Sequence, residues 1–184
     1  VYKRQLDDFP SLDPIDVNQL AYNLVSRAAE IETLPFCQEE GIGIIGYSSL
    51  MQGILTDAYP NLDDITPNRR RTRHFNSART DVCRHGESGC EEEFLAAMEA
   101  IRHIAVESGF SMRDLEIRWS FSHPAITCSL AGCRNAKQLK ENVEAVRQSL
   151  SPDLVEALNR ATQPVRDVLG NHLDYYQGAE NDRT

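Results

Sequence analysis

Residues 126–147, ITCSLAGCRNAKQLKENVEAVR, predict a strand that turns directly into a helix. The run from Ile126 to Leu130 is short and β-prone, and Gly132 supplies the turn after it. Asn135 is the expected N-cap of the helix, because Gln138 follows three residues later as in a capping box. The stretch therefore predicts one strand–turn–helix unit of an α/β protein.

This turn also has the features of an anion-binding site. The first turn of a helix carries unpaired N–H groups and a positive dipole end, and Arg134 adds a planar fork of donors beside them. The same pattern describes an ordinary strand–helix connection, with Leu139, Val143 and Val146 as the apolar stripe of the helix. From these residues alone, a phosphate-binding turn and a plain connection both stay open.

Three segments, in this order along the chain, resemble motifs of the aldo-keto reductases. Asp16-Val-Asn-Gln, followed by Tyr22-Asn-Leu, is similar to the motif of the sixth strand in that family. The stretch GIIGYSSLMQGILT, residues 43–56, is similar to its seventh strand and the following loop. Gly132 to Asn142, with the pattern G-x-R-N-x-x-Q-L-x-E-N, resembles its cofactor-binding signature. The resemblance implies strands six to eight of a (β/α)8 TIM barrel.

The expected fold class is therefore α/β, a partial (β/α)8 barrel with parallel strands and outer helices. A complete barrel takes about 250 residues, whereas this chain has 184. We expect strands over 15–19, 42–47 and 125–130, with the first and last as exposed edges. Residues 6–12 are expected to be the end of a helix. Further helices are expected over about 26–40, 91–107, 111–119, 135–147, 152–158 and 164–169.

Residues 1–5, VYKRQ, resemble a translated sequencing-adapter end, and we exclude them from the fold. Residues 6–184 are then expected to be the C-terminal portion of a single barrel domain that begins mid-protein. Residues 51–89 are polar and irregular, and a connection of this length is typical of a lid or a cofactor-covering loop.

The resemblance assigns a role in binding NADP(H) to ten residues. Gln19 is expected to hydrogen-bond the nicotinamide carboxamide, and Tyr47 to stack on the nicotinamide ring. The pyrophosphate is expected along the loop after the seventh strand, and Arg134 at the adenosine 2′-phosphate, with Gln138 beside it. Glu141 and Asn142 are expected at the adenine edge. The full set is Gln19, Tyr47, Ser48, Leu50, Gln52, Gly132, Arg134, Gln138, Glu141 and Asn142.

The family's Asp, Tyr, Lys and His tetrad lies on earlier strands, so no catalytic residue is assigned in this chain. The resemblance implies an NADP(H)-dependent reductase of aldehydes or ketones. This chain is expected to supply the cofactor-binding half of that enzyme and to be inactive alone. The alternative is a non-enzymatic regulatory subunit that keeps the cofactor site. Three departures from the family pattern stand out: Ser49 and Ala131 where proline is frequent, and Asp57-Ala58 where a glycine–basic pair is common.

Composition indicates a globular protein without disulfides or membrane spans. The net charge is −9 and 41% of residues are hydrophobic, which permits a sizeable core. The five cysteines have irregular spacing, which favours a reducing, cytoplasmic compartment. The acidic balance argues against general nucleic-acid binding. We expect a small carbonyl substrate as partner, and neither nucleic acid nor membrane.

Several local motifs allow a second interpretation. Gly41 to Gly46 fits G-x-G-x-x-G, the fingerprint of a Rossmann dinucleotide-binding turn between a strand and a helix. Ile42, Ile44 and Ile45 instead make the segment a strand. Arg69 to Arg73 form a basic run, which either binds phosphate or lies in solvent beside acidic partners.

The remaining motifs contain cysteine or histidine. Cys83, His85 and Cys90, with His74, could approach a zinc ligand set, but the spacing differs from known zinc motifs, and we expect no metal. Cys133 is either a reactive thiol beside Arg134 or a small packing residue.

Overall fold

The computed structural model describes residues 15–178, which form three strands and five α-helices. The strands are β1 (Val17–Ala21), β2 (Gly43–Tyr47) and β3 (Ile126–Ser129). The α-helices are α1 (Thr33–Glu39), α2 (Glu91–Ser108), α3 (Met112–Ser120), α4 (Ala136–Ala145) and α5 (Pro152–Leu169). Short 3-10 turns cover Ala28–Glu30, Met51–Thr56, Leu62–Asp64, Pro67–Arg69 and Ser77–Arg79. The helix predicted over 6–12 lies outside the described residues.

The sheet is parallel throughout and has the order β1-β2-β3. Val17 pairs with Gly43 in the first ladder, and Ile44 pairs with Ile126 in the second. The predicted parallel sheet, with β1 and β3 as its two edges, is confirmed. Strand β1 runs to Ala21, two residues beyond the predicted end.

The core lies against one face of this sheet. Asn18 and Leu20 on β1 are buried, whereas Val17 and Gln19 are exposed. Because successive side chains of a strand point to opposite faces, Gln19 lies on the face away from the core. Ile44 on β2 is fully buried on the core side. The G-x-G-x-x-G segment is therefore strand β2, as predicted.

Three predicted helices differ from the structure. The helix predicted over about 26–40 is a 3-10 turn followed by α1, and the break precedes Pro35, which sits in the first turn of α1 where its missing N–H is tolerated. The two helices predicted over 152–158 and 164–169 are the single helix α5, with Pro164 inside it. A continuous buried face, Leu158, Thr162, Val165 and Leu169, outweighs the local penalty of Pro164.

Helix α4 forms where it was predicted, but its apolar stripe does not pack. Leu139, Val143 and Val146 are 53%, 48% and 48% exposed, and the buried positions are Asn142 and Ala145. The apolar stripe predicted along this helix is thus about half exposed among the residues that the structure describes.

The long connection over 51–89 has only 3-10 turns, but it is packed. His74 and Phe75 are fully buried, with the Phe75 ring 5.1 Å from that of Phe94 and the His74 ring 5.3 Å from that of Tyr175. Gly89 has a φ of +75°, and a Cβ there would lie 2.4 Å from the Phe75 carbonyl carbon, so only glycine fits. The loop is therefore held against α2 and the C-terminal segment.

Candidate cofactor-binding cleft

The loops that follow β2 and β3 meet beyond the carboxyl ends of these strands, because neighbouring parallel strands end on the same side of the sheet. The Ser49 hydroxyl donates to the Leu130 carbonyl oxygen at 2.9 Å, and the Leu130 N–H donates to the Gly46 carbonyl at 2.8 Å. Ser49 is 1% exposed. The serine that replaces the family's frequent proline thus joins the two loops.

An open cleft of about 850 Å³ lies between these loops and the N-terminal ends of α3 and α4. It brings together eight of the ten residues that the sequence predicted as cofactor-binding. These are Ser48, Leu50, Gln52, Gly132, Arg134, Gln138, Glu141 and Asn142. A single concave site therefore collects side chains from two loops and two helices.

The other two predicted residues, Gln19 and Tyr47, lie outside the lining of this cleft. Gln19 pairs in register with Ile45, two residues before Tyr47, so both side chains face the side of the sheet away from the core. Tyr47 is half-buried, and burial, with Tyr176 and Asp174 nearby, raises its pKa. The phenol is therefore neutral at pH 7 and is positioned at the end of β2.

The N-terminus of α4 is capped as predicted, with one difference. The Asn135 side-chain oxygen accepts from the Gln138 N–H at 2.9 Å, but the Gln138 side chain accepts from the Arg134 N–H at 2.7 Å rather than from that of Asn135. The Arg134 guanidinium is exposed and has no hydrogen bond or ion pair within residues 15–178. It is the kind of unpaired donor fork that an anion can occupy.

Helix α3 also begins at the cleft. Ser111 caps it by accepting from the Asp114 N–H at 3.1 Å, and Arg113 in its first turn donates to Glu141 at 2.7 Å. Sequence reasoning recognised the cap but missed Ser111 and Arg113 as cleft residues. Their place there depends on how α3 packs beside α4, for which the local sequence holds no signal.

The loop after β2 has an unusual backbone. Within the described residues, the non-glycine positions with positive φ are Ser48, Met51, Gln52 and Asp57, at 56°, 45°, 56° and 61°. The Asn23 side-chain amide donates to the Ser48 carbonyl at 3.0 Å and holds the first of them. Such conformations cost free energy and concentrate at binding sites. Asp57, which with Ala58 replaces the family's common glycine–basic pair, accepts from Arg102 at 2.8 Å.

The basic run 69–73 is divided between the two predicted interpretations. Arg70 pairs with Asp63 at 3.2 Å, and Arg73 pairs with Glu87 at 2.9 Å. Arg69 instead lines the cleft, with its guanidinium 5.6 Å from the centre of the Tyr59 ring. Only part of the run is thus neutralised by acidic partners.

The histidine and cysteine motifs have other surroundings. His74 uses its Nε2 towards the Val25 carbonyl at 2.8 Å and its Nδ1 towards the Thr72 hydroxyl at 3.1 Å, and burial lowers its pKa to about 4. Among residues 15–178, His, Cys, Asp and Glu do not form a group of three that could hold a metal ion. Cys133 lines the cleft and is exposed, so the packing interpretation is wrong.

Comparison with known proteins agrees with this architecture. The family model of the aldo/keto reductase family matches residues 7–163. The chain belongs to the aldo/keto reductase family. It is 30% identical over 137 residues to an L-glyceraldehyde 3-phosphate reductase of Escherichia coli (strain K12), covering 72% of this chain and 37% of that protein. It is 27% identical over 150 residues to a probable voltage-gated potassium channel subunit beta of Oryza sativa subsp. japonica, covering 80% and 44%.

Solved structures of aldo-keto reductases show the same fold. The glycerol dehydrogenase of Gluconobacter oxydans superposes with a TM-score of 0.66 at 24% identity, covering 88% of this chain and 46% of that one. The chain thus spans less than half the length of these relatives and is a partial (β/α)8 barrel. Within residues 15–178, none of the helices has the length and apolar character needed to cross a bilayer.

Proposed function

We propose that this chain is the NADP(H)-binding half of a cytoplasmic aldo-keto reductase that reduces aldehydes or ketones to alcohols. The observation that carries the proposal is the cleft, in which the unpaired Arg134 lies together with seven other predicted cofactor residues. In such enzymes the bound nicotinamide supplies the hydride. The residues of this chain bind and orient that group.

The cleft suits a long anionic ligand. Two helix N-termini, those of α3 and α4, lie at it and contribute positive dipole ends. Arg69 and Arg134 add two guanidinium groups, whereas Arg113 is paired with Glu141. The positive potential therefore extends from the loop after β2 to the start of α4. We expect the pyrophosphate beside the loop after β2 and the 2′-phosphate at the start of α4.

Each predicted residue has a role in this proposal. Gln19 within β1 and Tyr47 at the end of β2 orient the nicotinamide. Backbone N–H groups of the strained loop, at Ser48, Leu50 and Gln52, approach the pyrophosphate. Gly132 allows the backbone to pass close to the ligand, Arg134 and Gln138 hold the 2′-phosphate, and Glu141 and Asn142 lie at the adenine. No residue here is assigned to the family's catalytic tetrad, and we expect the chain alone to be inactive.

The alternative is a regulatory subunit that binds NADP(H) without turnover. The similarity to a probable voltage-gated potassium channel subunit beta supports this alternative. A protein that contains this chain should oxidise NADPH in the presence of an aldehyde such as 4-nitrobenzaldehyde if it is a reductase. Cofactor binding without oxidation would support the subunit instead.

Arg134→Ala tests the cofactor assignment directly. A hydrogen bond to a charged group contributes about 1.5–3 kcal/mol, so we expect NADPH to bind roughly 10- to 150-fold more weakly. NADH lacks the 2′-phosphate, and its affinity should stay unchanged. Fluorescence titration of both cofactors at one salt concentration measures the two dissociation constants.

Arg147→Ala is the matched control, because Arg147 is an exposed arginine beyond the other end of α4 that pairs with Glu144. Neither cofactor should be affected by it. Equal weakening of NADPH and NADH by Arg134→Ala would assign Arg134 to the structure of the turn. No weakening of either would move the phosphate role to Arg69.

A further inference from the structure

A second concavity lies between the long connection and the C-terminal segment. It has a volume of about 210 Å³ and is bounded by Arg71, Val82, Arg84, Tyr176 and Gln177. A parallel bridge between Arg84 and Gln177 joins the long connection to the C-terminal segment here. The pocket is thus built where two distant parts of the chain are held together.

Its two arginines differ from their neighbours in the same connection. Arg70 and Arg73 each pair with a carboxylate, whereas Arg71 and Arg84 have no carboxylate partner in the part of the chain that the structure describes. The Arg71 guanidinium lies 5.0 Å from the centre of the Tyr176 ring, which positions it without neutralising its charge. Among residues 15–178, the pocket therefore holds two positive charges without a paired carboxylate.

Tyr176 connects this pocket to the proposed cofactor site. The Gln52 side chain, which lines the cleft, donates to the Tyr176 hydroxyl at 3.3 Å. A small cavity bounded by both residues, and also by Ser48, lies between the cleft and the pocket. Tyr176 is close enough to Tyr47 to raise the pKa of its phenol. The arginine pocket thus opens beside the strand end where we place the nicotinamide.

We propose that Arg71 and Arg84 form a subsite for the anionic group, a carboxylate or a phosphate, of the carbonyl substrate. This rests on the proposed function, because that function places the nicotinamide, which the reacting carbonyl must approach, at the end of β2. The pocket is smaller than the ~300–1,000 Å³ of a whole small-molecule site, so it suits one end of a substrate. Guanidinium forks bind both anions, and Val82, 46% exposed, offers an apolar wall to the connecting carbons.

Paired ligands test the subsite on this chain without any cofactor. The carboxylate pair is 4-carboxybenzaldehyde and benzaldehyde, and the phosphate pair is glyceraldehyde 3-phosphate and glyceraldehyde. Each is titrated at constant ionic strength while the arginine Nε–Hε signals are followed by NMR. We expect at least one anionic member to bind tenfold or more tightly than its neutral partner and to shift the signals of Arg71 and Arg84.

Arg71→Gln and Arg84→Gln should each weaken the anionic ligand at least tenfold and the neutral one less than twofold. Arg160→Gln is the control, because Arg160 is an exposed arginine that pairs with Glu156 on α5. Binding of only one anionic ligand supports the subsite and identifies the group as carboxylate or phosphate.

Two outcomes overturn the subsite: equal affinity for both members of both pairs, or shifts confined to Arg134. Unchanged affinity in both glutamine variants overturns it as well. Since no nicotinamide cofactor is present, these failures leave the Arg134 result intact. If Arg134→Ala does not weaken NADPH binding, the titration of the anionic ligands still tests the subsite, because it uses no cofactor.

Discussion

Arg27 and Arg134 carry the same guanidinium group in opposite surroundings. Arg27 is 4% exposed and donates to both oxygens of Glu30, to the Asn159 carbonyl and to the Thr162 hydroxyl, all at 2.8–2.9 Å. Arg134 is exposed at the cleft, without a partner among residues 15–178. A buried charge must be paired to be tolerated, and an exposed one is available to a ligand.

The same contrast extends to the regions around them. Near Arg27, the Trp119 indole N–H donates to the Asn159 side chain at 2.8 Å, and the Tyr22 hydroxyl donates to Glu30 at 3.0 Å. This polar cluster links β1, α3 and α5 from within. At the cleft, the backbone of the loop after β2 is strained, and the Arg134 guanidinium has no partner among residues 15–178. Stability should therefore depend on the first region, and cofactor affinity on the second.

Arg27→Ala should have the largest effect on stability. Removing one partner of a buried ion pair costs about 3–5 kcal/mol, because Glu30, with 12% of its side chain exposed, stays buried without its main partner. Urea unfolding measures the loss. Arg160→Ala, which removes an exposed pair with Glu156, should change stability by less than about 1 kcal/mol. Equal losses in the two variants would contradict the comparison.

His74 gives the pH dependence of the packed region. Burial lowers its pKa from 6.5 to about 4, so the folded protein holds it neutral while the unfolded chain binds a proton below pH 6.5. The free energy of unfolding should therefore fall as pH drops from about 6.5 to 4, by about 3 kcal/mol in total. Urea unfolding at several pH values measures this slope. In His74→Gln, a lower stability with an unchanged slope in this range would show that another group titrates.

Asn135→Ala probes the boundary between the two regions, since its side chain caps α4 while α4 borders the cleft. Loss of an N-cap costs about 0.5–2 kcal/mol, so thermal unfolding should show a modest decrease in stability. Ser149→Ala, at an exposed serine after α4, is the control and should leave the unfolding temperature within error. An unchanged temperature in Asn135→Ala would mean that the cap does not hold α4 in solution.

Arg134→Ala should have the smallest effect on stability, within about 0.5 kcal/mol, because it removes an exposed side chain that has no hydrogen bond or ion pair among residues 15–178. The variant that weakens NADPH should thus unfold at the same urea concentration as the parent chain. A loss comparable to that of Arg27→Ala would mean that Arg134 stabilises the fold, as Arg27 does, rather than being available to a ligand.

Sequence patterns located the parts of the fold that depend on local chemistry. Ile42, Ile44 and Ile45 predicted β2 as a buried strand, and Ser111 predicted the start of α3. The motif around Arg134 located residues that the structure brings to one cleft, while their cofactor roles stay predictions. These features are encoded within a few consecutive residues, which is why they could be read directly.

The sequence predictions fail where contacts between distant residues determine the structure. Pro164 suggested a helix break, but packing of α5 keeps that helix continuous. Leu139 and Val143 belong to the apolar stripe predicted along α4, but the pattern does not say what covers it, and both are about half exposed in the described structure. The Arg113–Glu141 pair joins residues from two helices, and no pattern within either helix predicts it. Tertiary contacts of this kind override local propensity.

The Ser49–Leu130 hydrogen bond has a consequence for the thermodynamics of ligand capture. The loops on the two sides of the cleft are already joined before a ligand arrives, so their relative position need not be ordered at the moment of binding. Ordering loops and side chains is one of the main entropic costs of association. A serine that replaces a rigid proline thus supplies rigidity by another route, through a bond between loops rather than within one.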